Sequence, residues 1–262
     1  MEIKVIKKDK DKIEFLVKDS SVAMINTLRR LILDEVPSLA IEEITVKKNS
    51  SALYDEVLAH RLGLVVLKTD VKSYNIQADC KCKGKGCQMC QVYMTLSAKG
   101  PKIVYADEIK SKDPKIKPVY DKTPIVELLE GQEIDLEMVA IMSNGKDHSK
   151  FSPGLLNFRV YPTIKIDSCQ NTNEVEAVCP KNVFEVSGGN LKVKNLEACD
   201  LCNACVDVCR PKEGISVSGS ETEFIAILEA WGQLDFKEIM DSAVNRFDKK
   251  LDELSKLVKG LK

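Results

Sequence analysis

Four cysteines spaced C-x2-C-x2-C-x3-C, in the stretch EACDLCNACVDVCRPKEG, carry the clearest chemical signal of the 262-residue sequence. Bacterial ferredoxins bind iron–sulfur clusters with this run, and its fourth cysteine ligates the other of their two clusters. The remaining ligand of the first cluster is then a cysteine that precedes a proline, as in Cys179-Pro180 here. The pattern predicts one cluster, with four iron atoms or with three after the loss of one. Its ligands would be Cys179, Cys199, Cys202 and Cys205.

A degenerate copy of the same motif lies upstream of Cys179. Counting back with the same spacing gives positions that hold Val175, Thr172 and Cys169. A second cluster would therefore lack two ligands, and the two cysteines left over from it, Cys169 and Cys209, are expected to be near neighbours. They could form a disulfide or stay a free thiol pair, and a zinc site or plain disulfides remain the alternative for the whole motif.

Another group of cysteines lies in the stretch DCKCKGKGCQMC. Gly84 and Gly86 permit a tight turn between its two halves, and four convergent thiolates suit tetrahedral zinc. A zinc site with four cysteine ligands has no open position, so it would stabilise structure and not catalyse. Reduced thiols, a disulfide pair or a second iron–sulfur centre remain alternatives. The four residues are Cys80, Cys82, Cys87 and Cys90.

Catalytic motifs are absent from the rest of the sequence. It contains no phosphate-binding glycine loop, no zinc-protease helix motif, no serine nucleophile elbow and no run of aspartates for paired magnesium ions. The two histidines, His60 and His148, are expected to be hydrogen-bonded structural residues. We therefore expect no chemistry from this chain alone. A solitary cluster then fits a structural or redox-sensing role at least as well as electron transfer.

The composition is that of a soluble globular protein with room for two or three domains. A formal net charge of −1 argues against a main nucleic-acid-binding surface on this chain, because phosphate binding requires a basic surplus. The opening residues lack the apolar segment of a signal peptide, and no stretch is long and apolar enough for a membrane span. We expect a cytoplasmic protein in which metal binding, and not a disulfide framework, accounts for eight of the ten cysteines.

Hydrophobic periodicity predicts an α+β fold. One helix is expected over residues 21–35 and another over residues 236–258, with Asp235 as its N-cap and Glu238 completing a capping box. Strands are expected at residues 3–5 and 13–17, which would form a hairpin, and at residues 41–46, 158–166 and 223–228.

The last helix carries apolar residues at the alternating spacing of a heptad repeat, which we call the C-terminal seam. The seam could pack on the chain's own sheet or on a similar helix of another chain. The two alternatives are compatible, because a helix has room for both contacts. The seam consists of Met240, Val244, Phe247, Leu251, Leu254 and Val258.

Three segments resemble the RNA polymerase α-subunit family. NTLRRLILDEVPSLAIEEITV (Asn26–Val46) resembles its first helix and strand, in which N-x-L-R-R precedes a proline. YDEVLAHRLGLVVLKTD (Tyr54–Asp70) is similar to its H-R-[IL]-[GA]-L segment. GKDHSKFSPG (Gly145–Gly154) resembles the loop that closes the inserted domain in archaeal and eukaryotic members. A ferredoxin-like insert after these segments is typical of the D-type α-like subunits of archaeal RNA polymerase, and the resemblance spans nearly the whole chain.

The resemblance implies an α-subunit-like dimerisation domain, with an antiparallel sheet and two long helices, interrupted by two inserts. Residues 1–47, 155–166 and 216–262 would form this dimerisation (assembly) domain. Residues 48–154, whose pattern looks irregular, would form an inserted mixed α/β domain, and residues 167–215 a ferredoxin-like iron–sulfur domain. Some family members carry a zinc-type cysteine loop in the first insert, and others lack it.

The resemblance also implies a function in assembly. Family members pair one long helix with that of a second α-like chain, which in archaea is the small L subunit. The pair joins the N subunit and nucleates assembly of the large catalytic subunits of DNA-directed RNA polymerase. The chain would be non-catalytic and would meet DNA only through the complex. An electron-transfer subunit of a redox enzyme and a free-standing metal-binding protein remain the alternatives.

Two sets of contact residues follow from the resemblance. The interface with the L subunit would comprise Leu28, Leu31, Ile32, Met240, Val244, Phe247, Leu251 and Leu254. Contacts with the large subunits would involve Arg29, Arg30, His60, Arg61, His148 and Phe151. For the two arginines of the first helix, a solvated helix face is the alternative.

Overall fold

The structure, a computed structural model, describes residues 1–77 and 79–261 and is an α+β fold with antiparallel sheets. None of the described helices is long and apolar enough to cross a membrane. The chain divides into two compact units, which are described in turn. The elements are β1 (Glu2–Lys8), β2 (Lys12–Lys18), α1 (Val22–Asp34), β3 (Ser38–Asn49), α2 (Asp55–Gly63), β4 (Gln91–Lys99), β5 (Lys102–Tyr105), β6 (Lys110–Ser111), β7 (Pro124–Leu128), β8 (Glu133–Ser143), β9 (Gly154–Ile166), α3 (Thr172–Val178), β10 (Phe184–Ser187), β11 (Asn190–Val193), α4 (Ala204–Val208), β12 (Ile215–Ala230) and α5 (Phe236–Lys259).

The first unit comprises residues 1–9, 13–26 and 157–227, and its main sheet has the strand order β1-β2-β12-β9. The predicted hairpin is confirmed, because β1 and β2 pair antiparallel with Ile3 opposite Val17. Strands β9 and β12 are neighbours in this sheet although a long segment separates them in sequence. The segment that contains six cysteines is therefore inserted between two paired strands.

This inserted segment has a small core of its own, formed by α3, the hairpin β10–β11 and α4. Val175 is fully buried there and Thr172 is nearly so. Val175 and Thr172 occupy the two positions at which the degenerate motif lacks a cysteine. Their side chains pack in the core, in place of the ligands that a second cluster would need. The buried core residues are Val175, Val183, Phe184, Leu191, Cys199, Cys205, Cys209 and Ile215.

The second unit comprises residues 10–12, 27–156 and 228–262, and its main sheet has the strand order β3-β8-β4-β6. We expected an irregular pattern in the middle of this unit, but β4 and β8 are regular strands that pair over nine residues, from Gln91↔Ile141 to Lys99↔Glu133. Alternate residues of both strands are buried in one core, which gives the insert a rigid sheet. On β8 these residues are Ile134, Leu136, Met138, Ala140 and Met142.

Helix α5 begins at the predicted N-cap. The Asp235 carboxylate accepts a hydrogen bond from the Glu238 N–H at 2.7 Å, and the Glu238 carboxylate accepts one from the Asp235 N–H at 3.0 Å. This confirms the capping box, which satisfies two N–H groups that the helix itself leaves unpaired. Among the residues of α5, the buried ones are Ile239 and Ala243, both near its beginning. The rest of this long helix is therefore not fixed by the core of its own unit.

The loop between β8 and β9 closes tightly on the end of α1. Ser152 Oγ donates a hydrogen bond to the Leu33 carbonyl oxygen at 2.8 Å, and the Lys146 N–H donates one to the Asp34 carbonyl oxygen at 3.0 Å. Gly145 lies between these two contacts, and a Cβ atom there would clash with the Leu33 carbonyl. The close approach of two backbone segments therefore requires glycine at this position.

The substitution Gly145→Ala is expected to lower the free energy of unfolding by about 1–3 kcal/mol, because one backbone segment must move to admit the methyl group. Urea unfolding measures the change. Gly63→Ala is the matched control, since a Cβ there would lie 3.5 Å from the Ile41 carbonyl oxygen, an ordinary contact. Equal losses in the two variants would contradict the tight closure of this loop.

Candidate metal centres and partner surfaces

The four predicted cluster ligands line one cavity in the inserted segment. Three different local structures bring them there. Cys179 follows α3, Cys199 follows the short 3-10 turn Leu196–Ala198, and Cys205 lies in α4. Cys199 and Cys205 are buried and Cys179 is half-buried, whereas Cys202 is exposed. The structure therefore brings the sulfurs of distant cysteines to one place, with one ligand at the surface.

The backbone between these cysteines has a conformation suited to an anion. Leu201 and Asn203 both have φ near +62°, in the left-handed region that residues with side chains rarely adopt. Backbone turns that alternate between right- and left-handed conformations direct successive N–H groups into a concavity, a feature of many iron–sulfur sites. Because such strain persists only where the surroundings demand it, this loop is shaped for a negatively charged group.

The chemistry and spacing of this site fit a cluster better than a single ion. Burial raises the pKa of the Cys205 thiol, and neighbouring Cys199 and Cys179 raise it further, so these three sulfurs share one electrostatic environment. Among the described residues, however, no three of the four have sulfurs all within 4.8 Å of one another. A single zinc ion would hold its ligand sulfurs about 3.8 Å apart, given Zn–S bonds of about 2.3 Å. The four-cysteine donor set fits a group of several iron atoms.

Cys169 and Cys209 are brought together as free thiols. Burial, together with a hydrogen bond with Cys169, raises the pKa of the Cys209 thiol to about 11. The Cys209 sulfur also contacts the Pro211 carbonyl oxygen at 3.3 Å. The expected proximity of the two residues is therefore present, and in the structure they form a thiol pair and not a disulfide.

The other cysteine group already has the dimensions of a zinc site. The sulfur–sulfur distances are 3.5 Å for Cys80 and Cys87, 3.6 Å for Cys82 and Cys90, and 3.8 Å for Cys87 and Cys90. A tetrahedral zinc ion with Zn–S bonds of about 2.3 Å would give edges of about 3.8 Å. Gly84, which has φ near +80°, permits the turn that returns the chain to the second pair of cysteines. The four residues therefore fit a closed, structural zinc site.

The Cys82 thiol of this group ionises more readily than the Cys80 and Cys90 thiols. Burial raises the pKa of the Cys90 thiol to about 12. At Cys82 burial also acts to raise the pKa, but hydrogen bonds with the Cys80 and Cys90 sulfurs outweigh it and lower that pKa to about 7. The thiolate is the form of cysteine that binds metal, so Cys82 is available as a first ligand near neutral pH.

The C-terminal seam lies mostly at the surface. Met240 and Phe247 are half-buried, but Val244, Leu251 and Leu254 are 50%, 44% and 56% exposed. Helix α5 packs on its own unit through different residues, as described above. The exposed apolar surface continues beyond Leu254, the last residue of the predicted interface. It includes Val258 of the seam as well as Leu257 and Leu261.

Helix α1 offers less free surface than the sequence suggested. Leu31 and Ile32 are buried by the chain's own residues, so in this conformation they have no free surface for a partner. Leu28 is half-buried, whereas Val22 and Met24, which the predicted interface did not include, are 54% and 39% exposed. An amphipathic pattern identifies the apolar face of a helix, but it does not reveal which residues the chain itself covers.

The predicted large-subunit contacts differ in how far the chain's own residues already engage them. His60 and His148 are exposed and line one cleft together with Glu42 and Lys150. His148 Nδ1 accepts a hydrogen bond from the Lys150 N–H at 3.1 Å. All three segments that resemble the family therefore meet at this cleft.

Arg61 and Phe151 stabilise the fold of their own unit. The Arg61 guanidinium donates to the carbonyl oxygens of Ile125 at 2.8 Å and Pro124 at 2.7 Å, and Phe151 is buried. On α1, Arg30 is exposed and lies 3.9 Å from the Asp34 carboxylate, while Arg29 is half-buried.

Comparisons with known proteins agree with the resemblance. The family described as RNA polymerase Rpb3/RpoA insert domain matches residues 42–171. The DNA-directed RNA polymerase subunit Rpo3 of Archaeoglobus fulgidus is 36% identical over 99% of this chain and 98% of its own length. The Rpo3 subunit of Methanosphaera stadtmanae is 37% identical over 98% of both chains, and that of Methanosarcina acetivorans 36% over 97% of both. Identity of this extent over the full length shows that the chain belongs to the family of DNA-directed RNA polymerase subunits Rpo3.

Proposed function

We propose that this chain is the D-type (Rpo3) scaffold on which an archaeal RNA polymerase assembles in the cytoplasm. It pairs with the small α-like L subunit, and the pair binds the N subunit and then the large catalytic subunits. The chain itself performs no catalysis and meets DNA only through the complex. The observation that carries the proposal is the exposed apolar seam of α5 in a chain that matches Rpo3 subunits over its full length.

The exposed part of α5 is the surface for the L subunit. Leucine and valine side chains that repeat at heptad spacing form a continuous strip, which is stable in water only when a facing helix covers it. Leu28 on α1 adds a half-buried apolar side chain to the interface. We leave Leu31 and Ile32 out of the interface, because the chain's own core already covers them.

The cleft around His60 and His148 is the contact surface for a large subunit, with Arg29 and Arg30 as a second point of contact. Phe151 supports this surface from the core, and Arg61, which is exposed, supports it through hydrogen bonds to backbone carbonyls of its own unit.

Leu251→Glu is expected to weaken binding to the L subunit by at least about 2 kcal/mol, because the carboxylate would be buried against an apolar helix. The variant should fold as well as the wild type, since Leu251 is 44% exposed in the chain alone. Co-purification with the L subunit, followed by titration calorimetry, measures the change.

Asn245→Glu is the matched control, because it adds the same charge to an exposed residue of α5 outside the seam. It should bind the L subunit like the wild type. If both variants bind normally, α5 does not form the interface.

The ferredoxin-type cysteines hold one iron–sulfur cluster in this proposal, with four irons or with three after the loss of one. The thiols of Cys179, Cys199, Cys202 and Cys205 supply the cluster's ligands, and the cluster supplies bonds that hold together a segment with a small core. The loop of Cys80, Cys82, Cys87 and Cys90 holds one structural zinc ion. Support comes from the cavity, the left-handed residues and the sulfur distances described above.

The proposed role of the cluster is structural or redox-regulatory, so that loss of the cluster under oxidation lowers assembly. Electron transfer in a redox enzyme would require a redox partner, and the Rpo3 family gives this alternative no support. A free-standing metal-binding protein would have no stoichiometric companion and would leave the exposed seam uncovered.

Cys202→Ser is expected to reduce bound iron from about four atoms per chain to three or fewer, since one thiolate ligand is lost. Because Cys202 is exposed, the change should not disturb the core, and any loss of assembly with the L subunit and the large subunits would follow from the cluster. Anaerobic iron analysis and reconstitution of the polymerase measure the two effects. Cys169→Ser, outside the proposed ligand set, is the control. Full assembly by an iron-deficient Cys202→Ser variant would refute the regulatory role.

A further inference from the structure

Arg159, on strand β9, reaches from the sheet of the first unit to the cluster loop. Its Nη2 donates a hydrogen bond to the Glu197 carbonyl oxygen at 2.6 Å, and its Nη1 donates one to the Cys199 carbonyl oxygen at 3.2 Å. Cys199 is one of the proposed cluster ligands, and the Glu197 carbonyl belongs to the 3-10 turn that presents it. A single guanidinium therefore holds the backbone on both sides of Ala198, immediately before a ligand.

The same guanidinium also holds the neighbouring part of the sheet. Its Nη2 lies 3.5 Å from the Glu14 carboxylate, on strand β2. Both side chains are largely covered, at 34% and 23% exposure, and Arg159 Nε is buried without a hydrogen-bond partner. Burying an N–H without a partner is costly, so the position of this side chain is imposed by the contacts of its two terminal nitrogens.

A second contact brings the cluster loop close to the sheet. Gly219 on β12 lies so near that a Cβ there would stand 2.6 Å from Val160 and 3.3 Å from Leu201. Leu201 is one of the left-handed residues between the cluster cysteines. The loop is thus seated on the sheet both by packing at Leu201 and by the hydrogen bonds of Arg159.

We propose that Arg159 is a positioning residue that couples the occupancy of the cysteine site to the sheet β1-β2-β12-β9. The inference rests on the proposed cluster. When the cluster fixes Cys199, the carbonyl oxygens of residues 197 and 199 are in position to accept hydrogen bonds from the guanidinium. The guanidinium is then also in position to pair with the Glu14 carboxylate. When the cluster is lost, those acceptors move, and β2 loses its link to the inserted segment.

The chemistry of this link requires arginine. A guanidinium offers five N–H donors in a planar fork, so it can serve two carbonyls and a carboxylate at fixed angles. Lysine keeps the charge but directs its donors from a single nitrogen. Partners that orient metal ligands typically change metal affinity by roughly 10- to 100-fold when they are replaced.

The test compares Arg159→Lys with wild-type protein, and Arg210→Lys is the control because Arg210 is an exposed arginine of the same inserted segment. Anaerobically purified full-length chain is mixed with an iron chelator, and the rate of iron release is followed. Visible circular dichroism reports the surroundings of the cluster. Amide hydrogen exchange of residues 13–18 on β2 is measured with and without iron.

Arg159→Lys is expected to release iron roughly 10-fold faster or more, to change the visible dichroism, and to remove the effect of iron on exchange in β2. A merely structural role would lower stability equally with and without iron and would leave the iron-dependent difference intact. Arg210→Lys should behave like the wild type.

Glu14→Gln provides a second variant if Arg159→Lys does not fold. It should keep its iron, because the hydrogen bonds to the loop remain, and yet lose the iron-dependent protection of β2. Unchanged iron release and unchanged iron-dependent exchange in a variant that holds its cluster would overturn the coupling and leave the cluster proposal standing. A wild-type chain without iron would overturn the cluster proposal and the coupling with it.

Discussion

The convergence of four cysteines in each of two short segments is the constraint on which both candidate metal centres depend. In the loop of Cys80–Cys90 the four sulfurs lie near the corners of a tetrahedron whose centre a zinc ion would occupy. In the inserted segment four cysteines converge on one cavity. Thiols alone attract one another weakly, and both segments turn through left-handed residues that store strain. Metal–sulfur bonds are the interaction strong enough to hold such segments closed.

The two groups of cysteines lie beside sheets, where a bound metal would stabilise the fold and would not catalyse a reaction. One group of cysteines lies in a segment inserted between the paired strands β9 and β12, and the other directly precedes strand β4. In the first unit, Arg159 connects the inserted segment to the sheet, because its guanidinium contacts both the Cys199 carbonyl oxygen and the Glu14 carboxylate. In the proposed coupling, occupancy of the site therefore influences the sheet β1-β2-β12-β9 of the same unit.

Parts of this account could be predicted from local sequence. The capping box at Asp235 and the hairpin β1–β2 follow from patterns of neighbouring residues, as do the heptad spacing of α5 and the proximity of Cys169 and Cys209. The strands of the first insert were readable too, since QVYMTLSAK alternates apolar and polar residues, but the cysteine-rich and proline-rich stretches beside it suggested irregularity. The division of the chain into three domains stays a prediction.

Other features depend on contacts that no local pattern contains. Arg159 meets partners on β2 and after the 3-10 turn, both far from it in sequence, and nothing around it distinguishes it from a solvated arginine. Burial of Leu31 and Ile32 likewise depends on which segment of the chain covers α1. Chain topology decides these points, and only the folded structure reveals them.

The central claim is that the two groups of cysteines close around different metals. Iron, acid-labile sulfide and zinc per chain, measured on anaerobically purified protein, test it most directly. The account predicts one zinc and either about four iron with four sulfide or, after loss of one iron, about three iron with four sulfide. Zinc without iron and sulfide, or a chain with neither metal, would contradict it.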